Sequence, residues 1–247
     1  MKKLLLITGA AFALGVASTG YAAALAAPCP TVGTLPGAYV GVGAGIGGIN
    51  TPKLNAADKA LATTSWSENK KYGFAARVYG GYLWAMPQVQ NLQLGVELGY
   101  NYYNPKNEYN LTAVRVGTDS WNYKGYNIDL LGVAKYNFGD TGFNALVKAG
   151  PAYVHQKLKV TRNGNMINAN LVGGDSANKV KAELAGGLGY DINQNVDVNV
   201  IYAHVFGSKP GHVSDANVSK SSMNKVASVD TLMATIAYHF GSLGGIV

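Results

Sequence analysis

The chain has 247 residues, 48% of them apolar and only 13% charged, with 32 glycines and a formal net charge of +7. That is enough chain for a core. Its 16 tyrosines, 6 phenylalanines and 3 tryptophans exclude a disordered chain, and its one cysteine excludes a disulfide framework or a cysteine-built zinc site. A soluble domain is about a quarter charged, so the low charge needs a physical reason.

Lys2 and Lys3 precede an apolar run, Leu4 to Val16, and small residues follow. This is the layout of a secretory signal, with A-x-A cleavage positions among Ala22, Ala24 and Ala26. The expected organisation is residues 1–26 as signal peptide and 27–36 as a periplasmic N-terminal segment. Residues 37–240 are expected to form one β-domain and 241–247 a C-terminal tail. Cys29 follows Pro28, which suits a lipoprotein signal poorly, so Cys29 is read as incidental.

From Ala38 onward, apolar residues recur with period two, the signature of strands. Ala38 to Ile49 opens the series with glycine along one face. In Lys71 to Trp84 the apolar set includes Tyr72, Phe74, Val78, Tyr82 and Trp84, and the alternates include Arg77. In Leu92 to Tyr103, Leu94, Val96, Leu98, Tyr100 and Tyr102 alternate with residues that include Glu97. Tyr126 to Phe138 sets Ile128, Leu130 and Tyr136 against Asp129 and Lys135. Phe143 to Val154 follows, interrupted by Pro151. Val180 to Ile192 sets Leu184 and Leu188 against Lys181, Glu183 and Asp191. Val196 to Phe206 and Leu232 to Phe240 complete eight segments.

Eight is an even number, as a closed up-and-down barrel requires. Predicted connections alternate in length. Met86 to Asn91, Gly139 to Gly142 and Asn193 to Asn195 are short; the other four run to about twenty residues or more. The apolar face is banded, aliphatic in the middle and aromatic at both ends, as rings seated at two membrane interfaces would be. The twelve steps from Tyr72 to Trp84, at about 3.3 Å each and a tilt near 40°, span roughly 30 Å. The opposite face mixes glycine with charge, which suits a crowded lumen better than a solvent-facing wall. The fold expected is all-β: an eight-stranded antiparallel transmembrane β-barrel with short periplasmic turns and long extracellular loops.

The opening strand Ala38-Tyr39-Val40-Gly41-Val42-Gly43-Ala44-Gly45 and the closing strand with Ile236, Tyr238 and Phe240 carry a resemblance. The chain resembles the small eight-stranded bacterial outer-membrane barrels of the OmpA/OmpX type. The resemblance implies a bacterial outer-membrane location and a last strand read by the barrel-assembly machinery. In that family the chain usually stops at the final aromatic residue; here Gly241 to Val247 follow Phe240.

Chemistry is sparse. His212-Val213-Ser214-Asp215-Ala216 loosely resembles the His-x-Ser-Asn-Ala stretch of outer-membrane lipid A deacylases, in which the His activates the Ser. Pro210 and Gly211 place it in a loop, Asp215 stands where that family has an amide, and no glutamate follows Glu183. The expectation is therefore no enzyme, no cofactor and no metal; His155, His204 and His239 sit on three different strands. Gly43 to Gly48 satisfies G-x-G-x-x-G, but no helix follows, so it is read as lumen packing.

Arg77, Glu97, Asp129, Lys135, Lys148, Lys181 and Glu183 share the inward parity and are expected to form a charge network that fills the lumen. The four long loops hold fourteen Lys or Arg against six Asp or Glu, a net +8. The expected partners are outer-membrane lipid and lipopolysaccharide, the assembly machinery, and anionic host glycans, with no nucleic acid. The expected role is a monomeric or weakly self-associating barrel that anchors surface loops, supports the envelope and mediates adhesion. A narrow diffusion pore is the alternative, and the His212–Ser214 deacylase a second.

Overall fold

The computed structural model describes residues 34–49, 67–69, 72–105, 108–113, 117–162, 165–166, 176–208 and 226–241. Among these the strands are β1 (Gly37–Ile49), β2 (Ser67–Asn69), β3 (Tyr72–Ala85), β4 (Leu92–Asn104), β5 (Glu108–Ala113), β6 (Gly117–Asn137), β7 (Phe143–Arg162), β8 (Asn165–Met166), β9 (Ser176–Asn193), β10 (Val196–Val205) and β11 (Val229–Gly241). Eight of them pair in the circular order β1-β3-β4-β6-β7-β9-β10-β11. The ring closes where β1 meets β11 through Val42↔Ile236 and where β6 meets β7 through Ile128↔Tyr153. Every pairing is antiparallel, so all eight strands find partners on both sides and the ring has no free edge.

Alternation sets which side each residue faces. Val42, Val78, Val96, Leu130, Val147, Leu188, Val200 and Ile236 all point outward, and Leu188 is 68% exposed. Such a girdle would be untenable in water, and it explains the low charge content. Aromatic rings bound it at both ends. Trp84, Tyr136, Phe138, Phe143, Tyr238 and Phe240 ring the end that carries the short turns, and Tyr72, Phe74, Tyr100, Tyr153, Tyr202 and Phe206 ring the other.

The short connections are built locally. In the β9–β10 turn the Asn193 side-chain oxygen accepts from Asn195 N at 2.8 Å and Val196 N at 2.9 Å, closing an Asx turn. After a 3-10 turn at Gly139–Thr141, Gly142 takes φ +76°, a conformation that glycine adopts without a Cβ penalty. Pro151 does not end β7. It lacks an N–H, and the β6–β7 register skips from Asp129↔Ala152 to Gly132↔Ala149 around it, while Pro151 keeps its place opposite Ala182 of β9.

At the other end the sheet outgrows the expected boundaries. Asn104 to Lys124 and His155 to Lys179 contain strand that was read as loop. β6 begins at Gly117 and β7 runs on to Arg162, paired from Asp119↔Arg162 downward. β5 adds to β6, β2 to β5, and β8 to β7. One side of the wall therefore rises past the aromatic ring.

Candidate functional site: a filled lumen

Eight strands leave an interior just wide enough for side chains, and this interior is packed at three levels. Glycine makes the room. A Cβ on Gly41 would run into the Tyr79 ring, and one on Gly99 would collide with the Arg77 guanidinium and the Asp129 carboxylate.

The middle level is an ion network. Arg77 donates from Nη2 to Glu97 Oε1 at 2.8 Å and from both terminal nitrogens to Asp129, at 2.6 and 2.8 Å. Lys148 donates to both oxygens of Glu97, at 2.8 and 2.6 Å. Tyr39 adds its hydroxyl to Glu97 Oε2 at 2.8 Å, and Asn101 accepts from Arg77 and donates to Asp129. The Glu97 and Asp129 side chains have no exposure at all. Buried carboxylates require this degree of pairing, because an unpartnered charge at that depth is costly. Glu183 faces the same space but accepts from Asn127 Nδ2 at 2.9 Å rather than from a cation.

The turn-side level is a second, separate network centred on Lys135. Its ammonium donates to Asp191 Oδ1 at 2.8 Å, Asp197 Oδ2 at 2.7 Å and Thr34 Oγ1 at 2.8 Å. Asn144 donates to Asp191 Oδ1, and His239 Nε2 lies 3.2 Å from Asp197 Oδ2. Thr34 belongs to the segment that leads into β1 and is only 1% exposed. Its N–H donates to Asp191 Oδ2, its carbonyl accepts from Gln93 Nε2, and Leu35 N donates to Gln194 O. The segment is folded into the barrel mouth and corks it.

The loop-side level is apolar. Ile49, Ala75, Tyr103, Ala152, Val154, Val205 and Met233 meet beneath Val226 and Ala227, which lead into β11. Gln156 clamps that lead-in: its Nε2 donates to Ala227 O and its Oε1 accepts from Ala227 N, each at 2.9 Å. A cavity lined by Tyr79, Glu97, Lys148 and Asn199 measures about 20 Å³, the size of a water or two.

Of the seven charges expected in one network, Arg77, Glu97, Asp129 and Lys148 are joined directly, and Glu183 stands beside them. Two depart from the expectation. Lys135 lies nearer the turns and serves Asp191 and Asp197 instead. Lys181 sits two residues loopward of Glu183, partly exposed, with Nζ 3.5 Å from Ser208 Oγ, so it is a rim residue. Sequence reading missed Thr34, Tyr39, Asn101, Asp191, Asp197, Gln156 and His239 as members. The signal for four of these was present: Asn101, Asp191, Asp197 and His239 all occupy inward parity beside outward apolar neighbours, whereas Gln156 lies between His155 and Lys157.

The remaining histidines lie elsewhere. His204 Nδ1 is 2.6 Å from Asp230 Oδ1 on the outer wall, and His155 Nδ1 is 2.5 Å from Asn178 Oδ1. Among the described residues no group of three or more His, Cys, Asp or Glu is placed to hold a metal. His212 and Ser214 lie outside the described residues, as do residues 1–33, Cys29 included, and residues 242–247. Ile236, Tyr238 and Phe240 all point outward on β11, with Tyr238 and Phe240 edge to face at 5.1 Å.

A lipid-facing girdle around a closed, side-chain-filled ring of eight strands defines an outer-membrane barrel. Residues 10–240 match the family described as outer membrane protein beta-barrel domain, and the chain belongs to it. An uncharacterized protein of Coxiella burnetii is 30% identical over 207 residues, covering 73% of this chain and 79% of that one. Among solved structures, OprG of Pseudomonas aeruginosa is 15% identical and aligns over 85% of this chain and 99% of its own, with a TM-score of 0.48. Ail of Yersinia pestis is 14% identical over 84% and 100%, with a TM-score of 0.44. The Neisserial surface protein A is 15% identical over 82% and 97%, with a TM-score of 0.42. The protein resides in the bacterial outer membrane.

Proposed function

We propose that the protein is a closed, non-enzymatic surface barrel, whose work is to anchor its loop-side segments, support the envelope and bring a basic rim against anionic surfaces. The observation that carries this reading is the filling of the lumen at three levels, which leaves the wall and the rim as the working parts. The raised wall of β2, β5, β6, β7 and β8 supports it too, since strand beyond the aromatic ring holds chain above the membrane rather than across it. The net +8 of the predicted loops suits acidic glycans on a facing surface.

Cells carrying the intact protein are compared with cells carrying deletions of residues 52–64, 167–174 or 211–223, scored for adhesion to heparin-coated plates. At least one deletion is expected to abolish adhesion while the barrel still migrates as a folded band. Adhesion unchanged by all three refutes the display role. Lipid A from the same cells, weighed by mass spectrometry with and without the protein, is expected to be identical; loss of an acyl chain would install the His212–Ser214 deacylase instead.

A further inference from the structure

The middle and turn-side ion networks face one another across the cavity of about 20 Å³. Glu97, Lys148 and Tyr39 stand on its wall from the first, and Lys135, Asp197 and His239 from the second, with Asn199 beside them. The four charges on that wall, Lys135 and Lys148 against Glu97 and Asp197, cancel. An ion placed among them would add a charge with no partner, which is costly at this depth; a neutral polar molecule adds none. A space of about 20 Å³ admits nothing larger than a water or two.

Three polar groups on the wall have bonding capacity left. His239 is 1% exposed, and its ring stacks on Tyr39 at 5.3 Å. Its Nε2 is spent on Asp197 Oδ2 at 3.2 Å, so the hydrogen sits there and Nδ1 offers a lone pair. That Nδ1 has no partner among the described residues. Asn199 gives Nδ2 to Asp197 Oδ1 at 3.0 Å, which fixes the amide and turns Oδ1 away from the carboxylate. Gly189, opposite it on β9, leaves this oxygen room, and Oδ1 has no partner among the described residues either. Lys148 spends two of its three N–H groups on Glu97, leaving one. Two acceptors and a donor around so small a space match the three or so bonds that a buried water makes. Water that bridges such groups is nearly as good as a direct bond, and an unmet buried acceptor is costly.

We propose that the cavity binds one or two ordered waters, which donate to His239 Nδ1 and Asn199 Oδ1 and accept from Lys148 Nζ, and so join the two ion networks into one hydrogen-bonded column. The bonds then run from Thr34 through Lys135, Asp197 and His239 to the water, and on through Lys148 to Glu97, Arg77 and Asp129. A pull on the segment seated in the turn-side mouth is thereby felt at Glu97, in the middle of the lumen.

The full chain, refolded in micelles, is crystallised from a bromide-containing solution, at a resolution that shows waters. Density for one or two waters, about 3 Å from His239 Nδ1, Asn199 Oδ1 and Lys148 Nζ, is expected. A cavity without density overturns the proposal. So does an anomalous bromide peak in it, since the site would then serve an anion. The linkage is read by urea unfolding of Lys148→Met, His239→Phe and the double variant. Their effects on the unfolding equilibrium constant are expected to depart from simple multiplication by at least about fivefold. Ala237 stands on the same wall, and Ala237→Val fills the space; in that background the departure is expected to fall below about twofold. Simple multiplication without Ala237→Val overturns the proposal. So does a departure that survives Ala237→Val, because the two networks would then act on one another through their charges, with no water between them.

Discussion

Lys148 on β7 reaches past β6 to grip Glu97 on β4 through both carboxylate oxygens, at 2.8 and 2.6 Å. The pair spans non-adjacent strands, so it ties the wall together across the lumen. Glu97 also takes Arg77 from β3 and the Tyr39 hydroxyl from β1, so four strands meet at one carboxylate.

Removing Glu97 strands Lys148, which has no other ion pair among the described residues, whereas Arg77 keeps Asp129. Glu97→Ala is expected to cost about 3–5 kcal/mol, in the range for breaking a buried pair. Arg77→Ala leaves Glu97 with Lys148 but deprives Asp129, so its cost is expected in the same range. The double change is expected to cost less than the sum, by about 0.5–3 kcal/mol. Urea unfolding of the refolded barrel supplies all three values, and strict additivity would show that the two side chains act independently.

The cork at the turn side separates two kinds of loss. Thr34→Val removes only the hydroxyl that accepts from Lys135, expected to cost about 1–3 kcal/mol. Lys135→Met leaves Asp191 and Asp197 without their shared cation, expected to cost about 3–5 kcal/mol. If the two variants unfold at the same urea concentration, Lys135 is not what neutralises those carboxylates.

Depth sets the sensitivity of the lipid face. Val96 and Leu130 lie on the aliphatic band and Tyr100 in the aromatic ring, all pointing outward. Lysine at Val96 or Leu130 is expected to cost about 2–4 kcal/mol, and at Tyr100 about 0–1 kcal/mol. Equal penalties at Val96 and Tyr100 would remove the membrane from the explanation of the band.

Orientation is open to direct labelling. With the short turns on the periplasmic side, a cysteine at Asn110, on β5 beyond the aromatic ring, reacts with an impermeant reagent on intact cells. One at Asp140, in the β6–β7 turn, does not. The reverse pattern turns the barrel over.

All eight barrel strands were legible because lipid on one side and a tight lumen on the other impose strict period two. Leu92 to Tyr103 was expected and Leu92–Asn104 is found. Above the aromatic ring that contrast vanishes, because neither face meets lipid. The first residues of β6 therefore carried no apolar alternation beyond Trp121 and Tyr123 and read as loop. Parity showed which charges turn inward, but not how they divide by height. Lys135 pairs with Asp191 and Asp197 on β9 and β10, and only the register of distant strands sets that meeting. Thr34 was illegible for a different reason: it precedes the first strand, where no periodicity speaks, and its burial follows from three contacts made by strands that come much later.

The closed lumen is tested most directly by single-channel recording of the refolded wild-type chain in a planar bilayer. Thr34 at one mouth, the Arg77–Glu97–Lys148 network in the middle and the Gln156-clamped Val226–Ala227 lead-in at the other predict no steady conductance. Brief openings are expected only when a level is breached, as in Glu97→Ala. A large, steady wild-type conductance would contradict the closed lumen and make the protein a pore.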